Sequence, residues 1–372
     1  MKTAIIGCGM ISENYVRSLQ GFSVIELVAC CDLKEERANK TASMFGLAKM
    51  TFEEILETKE IGLIINLTNP RAHYELNKRA LLAGKHVYSE KVIAIELEEG
   101  RELCLIAKEK GLRLGVAPDT FLGGSIQTAR YLVDMGMIGD VTSVAFSVNR
   151  DYNITEDILP HLTERGGGIG FDVGCYYLTA AVSILGPIKK VMSIAKVDRP
   201  NRINNRVGDP NFLKSIPVKS EGILTGALEF QSGVLGSFHM TSENIMDEKP
   251  FFTIFGTKGY VTIGDPNTFH APIHLKKMLG NVVEFPFTHG YTREARGIGA
   301  AEMVWAIQNN RPHRASMEMA FHVFEAVHGM LISANEEKAY YLDSSFIRPA
   351  ALPQGYMDVG EWGPTPERAL VD

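Results

Sequence analysis

Residues 3–12, Thr3-Ala4-Ile5-Ile6-Gly7-Cys8-Gly9-Met10-Ile11-Ser12 (TAIIGCGMIS), decide how the rest of the chain is read. An apolar run with strand character meets a glycine pair without any spacer. A glycine pair at a strand-to-helix turn lets a pyrophosphate approach the backbone and the positive end of the next helix. The third glycine of the usual fingerprint is replaced by Ser12, which is still small enough for close helix–strand packing. Such a motif alone arises often by chance, so its context has to support it. The next apolar run ends at Asp32, close to the ~20-residue offset expected of an acid that binds a ribose. Asp32 is therefore expected to accept hydrogen bonds from adenosine ribose hydroxyls and to favour NAD over NADP. Lys34 and Arg37 lie near enough to hold a 2′-phosphate, which leaves NADP open. The plain alternative for Asp32 is a loop acid capping the following helix.

Working outward, apolar runs at residues 25–31, 63–67, 86–88 and 112–117 alternate with polar stretches of helical spacing such as 96–110. Apolar strands alternating with helices predict βαβ units and a parallel sheet covered on both faces. After about Asp119 the pattern changes. Helices are expected over 124–135 and from about Phe171 to about Leu185. Strands are expected at 141–149, 190–197, 222–230, 234–241, 251–255 and 260–263, with turns at Ser232-Gly233 and Thr257-Lys258-Gly259. Residues 198–220 read as a long polar loop, and Ala320, Val323, Val327, Met330 and Ala334 mark a late amphipathic helix. The expected division is a Rossmann domain over 1–120, an α+β domain with a large, mainly antiparallel open sheet over 121–348, and an extended tail over 349–372.

The 372 residues are 45% hydrophobic and 22% charged, and 38 basic against 44 acidic side chains give a net charge of −6. With no basic patch, nucleic acid and anionic membrane are poor partners. The five cysteines form no CxxC pair, so neither a disulfide framework nor a zinc site is expected, and no metal is assigned. No apolar run approaches the length of a membrane span. The apolar start is too short for a secretion signal and soon meets Glu13, so a cytoplasmic location is expected.

Three further stretches carry a resemblance: Thr68-Asn69-Pro70-Arg71-Ala72-His73, Gly84-Lys85-His86-Val87-Tyr88-Ser89-Glu90-Lys91, and GGGIGFDVGCYY at 166–177. Together they resemble the sugar dehydrogenases grouped as the Gfo/Idh/MocA family, over nearly the whole chain. The family's Glu-Lys-Pro motif corresponds to Glu90-Lys91-Val92, its Thr-Pro-Asn-x-x-His loop to Thr68–His73, and its GGG-x-x-x-Asp-x-x-x-His motif to 166–176. Val92 stands in place of a proline, and Tyr176 in place of the common histidine. Branches of the family related to glucose-fructose oxidoreductase and dihydrodiol dehydrogenase also carry tyrosine there, so the departure is not a sign of inactivity. The resemblance implies an NAD(P)-dependent dehydrogenase or reductase acting on a sugar, sugar acid or polyol.

On that reading Gly7, Cys8, Gly9, Met10, Ile11, Asp32, Thr68, Asn69, His73, Glu90 and Lys91 surround the dinucleotide. Lys91, Asp172 and Tyr176 are the catalytic candidates. Free tyrosine, with a pKa of about 10, is a poor base near neutrality, and a neighbouring lysine ammonium is expected to lower that value. Tyr176 is then the acid/base, Lys91 its electrostatic partner and Asp172 the orienting group, with the first two roles open to exchange. Asp119 and His161 are candidate substrate contacts, although His161 reads equally as a loop histidine and His73 as a helix start. Cys175 points to another helix face and reads as core. Two other functions fit the same residues: a glycoside hydrolase using bound NAD for transient oxidation, and a non-enzymatic dinucleotide sensor. The second sheet is expected to be covered in a homodimer or homotetramer.

Overall fold

The computed structural model describes residues 1–152, 160–244 and 251–356. Six parallel strands form the first sheet: β1 (Lys2–Ile6), β2 (Glu26–Cys31), β3 (Ala48–Lys49), β4 (Leu63–Asn66), β5 (His86–Ser89) and β6 (Leu114–Val116). They lie in the order β3-β2-β1-β4-β5-β6. Helices α1 (Ser12–Leu19), α2 (Glu35–Phe45), α3 (Phe52–Glu57), α4 (Pro70–Leu82) and α5 (Leu97–Glu109) connect them. β4 is buried throughout, as the continuous apolar run Leu63–Ile65 requires of a strand covered on both faces. The order reverses between β1 and β4, and a crevice at such a switch point, at the carboxyl ends of the strands, is where open α/β sheets take ligands.

The chain continues through α6 (Gly124–Asp134), β7 (Val141–Asn149), α7 (Cys175–Leu185) and β8 (Ile188–Lys196). β9 (Asn201–Ile203), β10 (Ser215–Pro217), β11 (Ile223–Phe230), β12 (Leu235–Thr241), β13 (Phe251–Gly256), β14 (Gly259–Ile263), β15 (Ile273–Lys277) and β16 (Val282–Glu284) follow. Last come α8 (Ile298–Gln308), α9 (Met317–Glu336) and β17 (Tyr340–Tyr341). The second sheet has nine strands in the order β16-β15-β14-β13-β7-β12-β11-β8-β17. β12 and β7 pair in parallel, and its other ladders are antiparallel. One face packs on α9, where Ser193 of β8 donates its N–H to Ser333 Oγ at 3.1 Å. The other face presents Met192 and Ile194, 57% and 73% exposed.

Three expectations need correction. Residues 198–220 are not one loop, because β9 and β10 pair there as a small antiparallel hairpin. Strands of three residues with a polar composition show no alternation to read. The helix over 171–185 begins earlier, at residue 168, and passes through a π-helical turn at Gly170–Gly174 before α7. Short strands β15, β16 and β17 extend the second sheet beyond the expected runs. The described part of the tail carries no helix or strand after β17, and residues 357–372 lie outside the described residues.

The last described part of the chain folds back onto the first sheet. Gly115 of β6 bridges to Ser316, the residue that caps α9. Glu302 of α8 is fully buried and holds Arg314, whose guanidinium reaches the carbonyls of Ala350 and Ala351 at 2.8 and 3.0 Å. Among the described residues no helix is long and apolar enough to cross a membrane.

Candidate active site

A single open cleft of about 1460 Å³ runs from the β1–α1 turn to the start of α7. At one end the sequence dictates a tight turn. Gly7 has φ +91°, and a Cβ there would come within 2.7 Å of the Leu67 and Thr68 backbone. Only glycine permits both the conformation and the approach. A Cβ on Gly9, by contrast, would meet nothing within 4 Å, so the backbone here faces open space. The amino end of α1 points at that space, where its free N–H groups favour an anion. Met10 and Ile11 line the same wall.

Asp32 follows β2 directly, beside this turn. One carboxylate oxygen accepts from Cys8 N–H and the other from Lys34 N–H, each at 2.8 Å. A carboxylate has about four acceptor positions, so lone pairs remain for ribose hydroxyls. An open glycine cradle, a helix start and a fixed carboxylate form the donor and acceptor set a dinucleotide needs, and Gly7, Gly9, Met10, Ile11 and Asp32 would hold it. Lys34 and Arg37 also line the cleft. Cys8 does not line it: its N–H is engaged by Asp32 and its thiol is buried.

Midway, Thr68 and Asn69 line the cleft. Asn69 caps α4 by accepting from Arg71 N–H at 3.1 Å, with Pro70 in the first helical turn. His73 is corrected here. It is fully buried, with its two ring nitrogens 2.6 and 2.9 Å from the carbonyls of Val92 and Thr68, so it braces two cleft loops from behind.

At the other end, Glu90 and Lys91 follow β5 directly. Tyr15 of α1 donates to Glu90 Oε1 at 2.7 Å, and Lys91 N–H donates to Oε2 at 3.0 Å. Lys91 Nζ donates to the Asp172 carbonyl at 2.7 Å and to Oδ1 at 2.6 Å, and lies 5.5 Å from the centre of the Tyr176 ring. The glycine run lets the second domain come this close. Gly166, at φ +79°, lines the cleft, and a Cβ on it would strike Ile95 at 2.6 Å. The other Asp172 oxygen accepts from Tyr152 OH at 2.7 Å. His161 lines the mouth.

The electrostatics differ from expectation at one point. Burial is the largest influence on the Tyr176 phenol and holds it above the ordinary tyrosine range, although Lys91 pulls the other way. Burial likewise opposes charge on Lys91, but the Asp172 carboxylate, followed by Tyr176, Cys175 and Glu90, outweighs it and keeps the ammonium above its usual range. Asp172 stays below its usual range because attraction and hydrogen bonding to Lys91, with the Tyr152 bond, overcome burial. Burial lowers His161, against the pull of Asp172.

Asp119 is also corrected. It is 1% exposed, and its Oδ2 accepts from Gly297 and Gly299 N–H at 2.8 and 3.0 Å, capping α8 instead of facing the cleft. The sequence reading missed Tyr152, Asn267 and Arg296. Asn267 and Arg296 line the cleft with Lys91 and Tyr176, and Arg296 Nη2 donates to Asn267 Oδ1 at 2.9 Å. None of the three lies in a motif, so only the fold brings Asn267 and Arg296 to the cleft and Tyr152 to Asp172.

Comparison with known proteins agrees with this geometry. Residues 1–117 match the model of an oxidoreductase family with an NAD-binding Rossmann fold, and residues 126–262 match the GFO/IDH/MocA C-terminal domain. An oxidoreductase of Synechocystis without an assigned function is 25% identical over 298 residues, covering 73% of this chain and 76% of that protein. D-glucoside 3-dehydrogenase of Escherichia coli is 29% identical over 192 residues, covering 50% of this chain and 54% of that protein. Other curated relatives are likewise matched over about half their length. A structure of levoglucosan dehydrogenase with NADH and L-sorbose superposes with a TM-score of 0.81 at 19% identity, covering 92% of this chain and 99% of that one.

Proposed function

The chain belongs to the GFO/IDH/MocA oxidoreductase family, and from that premise we propose that it moves a hydride between NAD and a hydroxyl-bearing or carbonyl carbon of a sugar, sugar acid or polyol. The observation that carries this reading is the meeting of Lys91, Asp172 and Tyr176 at the far end of a cleft whose near end is Gly7, Gly9 and Asp32. The named sugar and glucoside substrates of its relatives support the substrate class.

When bound, the nicotinamide supplies the hydride acceptor or donor. The chain's own residues handle the proton and the orientation. Tyr176 exchanges a proton with the substrate oxygen, a form of catalysis that typically contributes ~10²–10⁴-fold. The Lys91 ammonium faces the oxygen as it gains negative charge. Asp172 fixes Lys91 with one oxygen while Tyr152 fixes Asp172 through the other. His161, at the mouth, contacts the substrate, and Glu90 with Thr68 and Asn69 lines the cofactor's middle. The fixed Asp32 carboxylate supports NAD over NADP, since a 2′-phosphate would meet its charge.

On this reading residues 1–120 bind the dinucleotide, 121–348 supply the substrate wall and the subunit contact, and 349–372 form an extended tail. Subunits pair as a homodimer or homotetramer through the open face of the second sheet. Five unpaired thiols support a cytoplasmic home.

The test is a titration with NADH and NADPH followed by nicotinamide fluorescence, beside an Asp32→Ala variant, and then a sugar panel followed by nicotinamide absorbance. NADH preference that Asp32→Ala erodes, and turnover with a sugar or polyol, are expected. Tight NADPH preference overturns the cofactor assignment. Sugar cleavage with no net nicotinamide change favours the hydrolase reading instead.

A further inference from the structure

Lys91 is the obvious cation for a tyrosine that exchanges a proton, and it shares its charge with Asp172. Two of its three N–H donors are bound by Asp172, through the carboxylate and the carbonyl, at 2.6 and 2.7 Å. Asp172 keeps its own charge, since Tyr152 donates to its other oxygen. Lys91 nonetheless remains the largest influence favouring the deprotonated phenol, against burial. Glu90, from the same loop, adds an opposing negative charge.

A second cation enters from a distant part of the sequence. Arg296 lines the same end of the cleft as Tyr176 and is largely buried. It is held in place on several sides. Nη2 donates to the Asn267 carbonyl at 3.1 Å and to its side chain at 2.9 Å, and Nη1 pairs with Glu294. The next residue, Gly297, is fixed by Asp119, whose carboxylate accepts from the amides of Gly297 and Gly299. Asp119 thereby anchors the start of α8 that carries Arg296 to the cleft. The Glu294 side chain is 44% exposed and so screened by water, whereas the Arg296 side chain is 15% exposed.

We propose that Arg296 is the positioning residue that, beside Lys91, stabilises the Tyr176 oxygen when it gives up its proton. The groups acting on the phenol come from every side: Lys91 and Arg296 favour the deprotonated form, while burial, Glu90 and Cys175 oppose it. Tyr88, on β5, also faces Tyr176. Arg296 in turn faces Tyr176, Glu294, Asp119 and Tyr15. The proton balance is simple. In the oxidation direction the Tyr176 oxygen takes the substrate hydroxyl proton, and in reduction it returns one to the substrate oxygen. The Arg296 guanidinium stays protonated throughout.

This proposal rests on the reading of Tyr176 as the acid/base, so the experiment measures ionisation without turnover. A fluorotyrosine placed at position 176 of the full chain is titrated with pH by ¹⁹F NMR, in the parent and in three variants. Arg296→Met is expected to move the midpoint up by roughly one pH unit, about tenfold in proton affinity. Arg296→Lys is expected to restore most of it. Glu294→Gln, which frees Arg296 from its counter-ion, is expected to move the midpoint down by less. An unmoved midpoint in Arg296→Met, or an equal rise in Arg296→Lys, overturns the proposal. If Arg296→Met does not fold, Glu294→Gln decides alone: a downward shift supports the proposal, and no shift or an upward one overturns it. Unchanged turnover in Tyr176→Phe overturns the acid/base reading separately, whatever the fluorine signal does.

Discussion

At the scale of single residues, the site is a set of opposing forces on Lys91, Asp172 and Tyr176. Tyr176→Phe keeps the ring and removes the proton, so turnover is expected to fall ~10²–10⁴-fold with dinucleotide binding unchanged. Steady-state kinetics beside a fluorescence titration separate the two effects. Asp172→Asn acts with a different sign. Burial depresses the Lys91 ammonium and Asp172 is the largest influence restoring it, so the variant's lysine should lose its proton at lower pH than the parent's. The alkaline limb of kcat/KM is expected to move to lower pH, and a limb that stays in place would show that Lys91 does not need its charge. That Lys91, Asp172 and Tyr176 meet was legible in the sequence because they sit in ordered motifs. Tyr152 and Arg296 were not, because Tyr152 reaches Asp172, and Arg296 the cleft, from segments with no local pattern. Cys8, His73 and Asp119 were misread because a motif or its neighbourhood fixes where a backbone runs and not where a side chain points.

At the scale of elements, the capping of α8 by Asp119 gives the next prediction. Burial pushes the Asp119 carboxyl up from 3.8 to about 6, although the two amides and Arg296 pull it down. The folded chain therefore holds this proton more tightly than the unfolded chain does. The stability contribution is complete below about pH 4 and is lost as pH rises through about 6, to the extent of roughly 3 kcal/mol. Asp119→Asn removes the titration, so the stability difference between parent and variant should decline across that window. Denaturant unfolding at several pH values checks it, and a constant difference would refute it. The Rossmann elements were legible because buried parallel strands are continuous apolar runs between helical stretches. The second sheet was legible where strands are long. The β9–β10 hairpin and the π-helical turn were not, since a three-residue strand and one extra residue in a helical turn leave no periodic trace.

At the scale of the whole molecule, the nine-stranded sheet has one face on α9 and one in solvent. Met192 and Ile194 stand on the open face in the row that crosses β8. If this face joins subunits, replacing both with Asp should lower the sedimentation coefficient to that of a monomer and leave NADH binding intact. A parent that already sediments as a monomer at micromolar concentration removes the subunit proposal. The return of the chain has a separate consequence. β6 is bridged to the cap of α9, the start of α8 is pinned by Asp119, and Glu302 locks the segment behind α8. The dinucleotide half cannot then open without tearing contacts made nearly two hundred residues later in the chain. Amide protons in β6 and α9 should exchange through one shared opening event, and cutting the gene between the two matched regions would leave each product without part of its own core. The cleft is therefore flanked by halves that rise and fall in stability together.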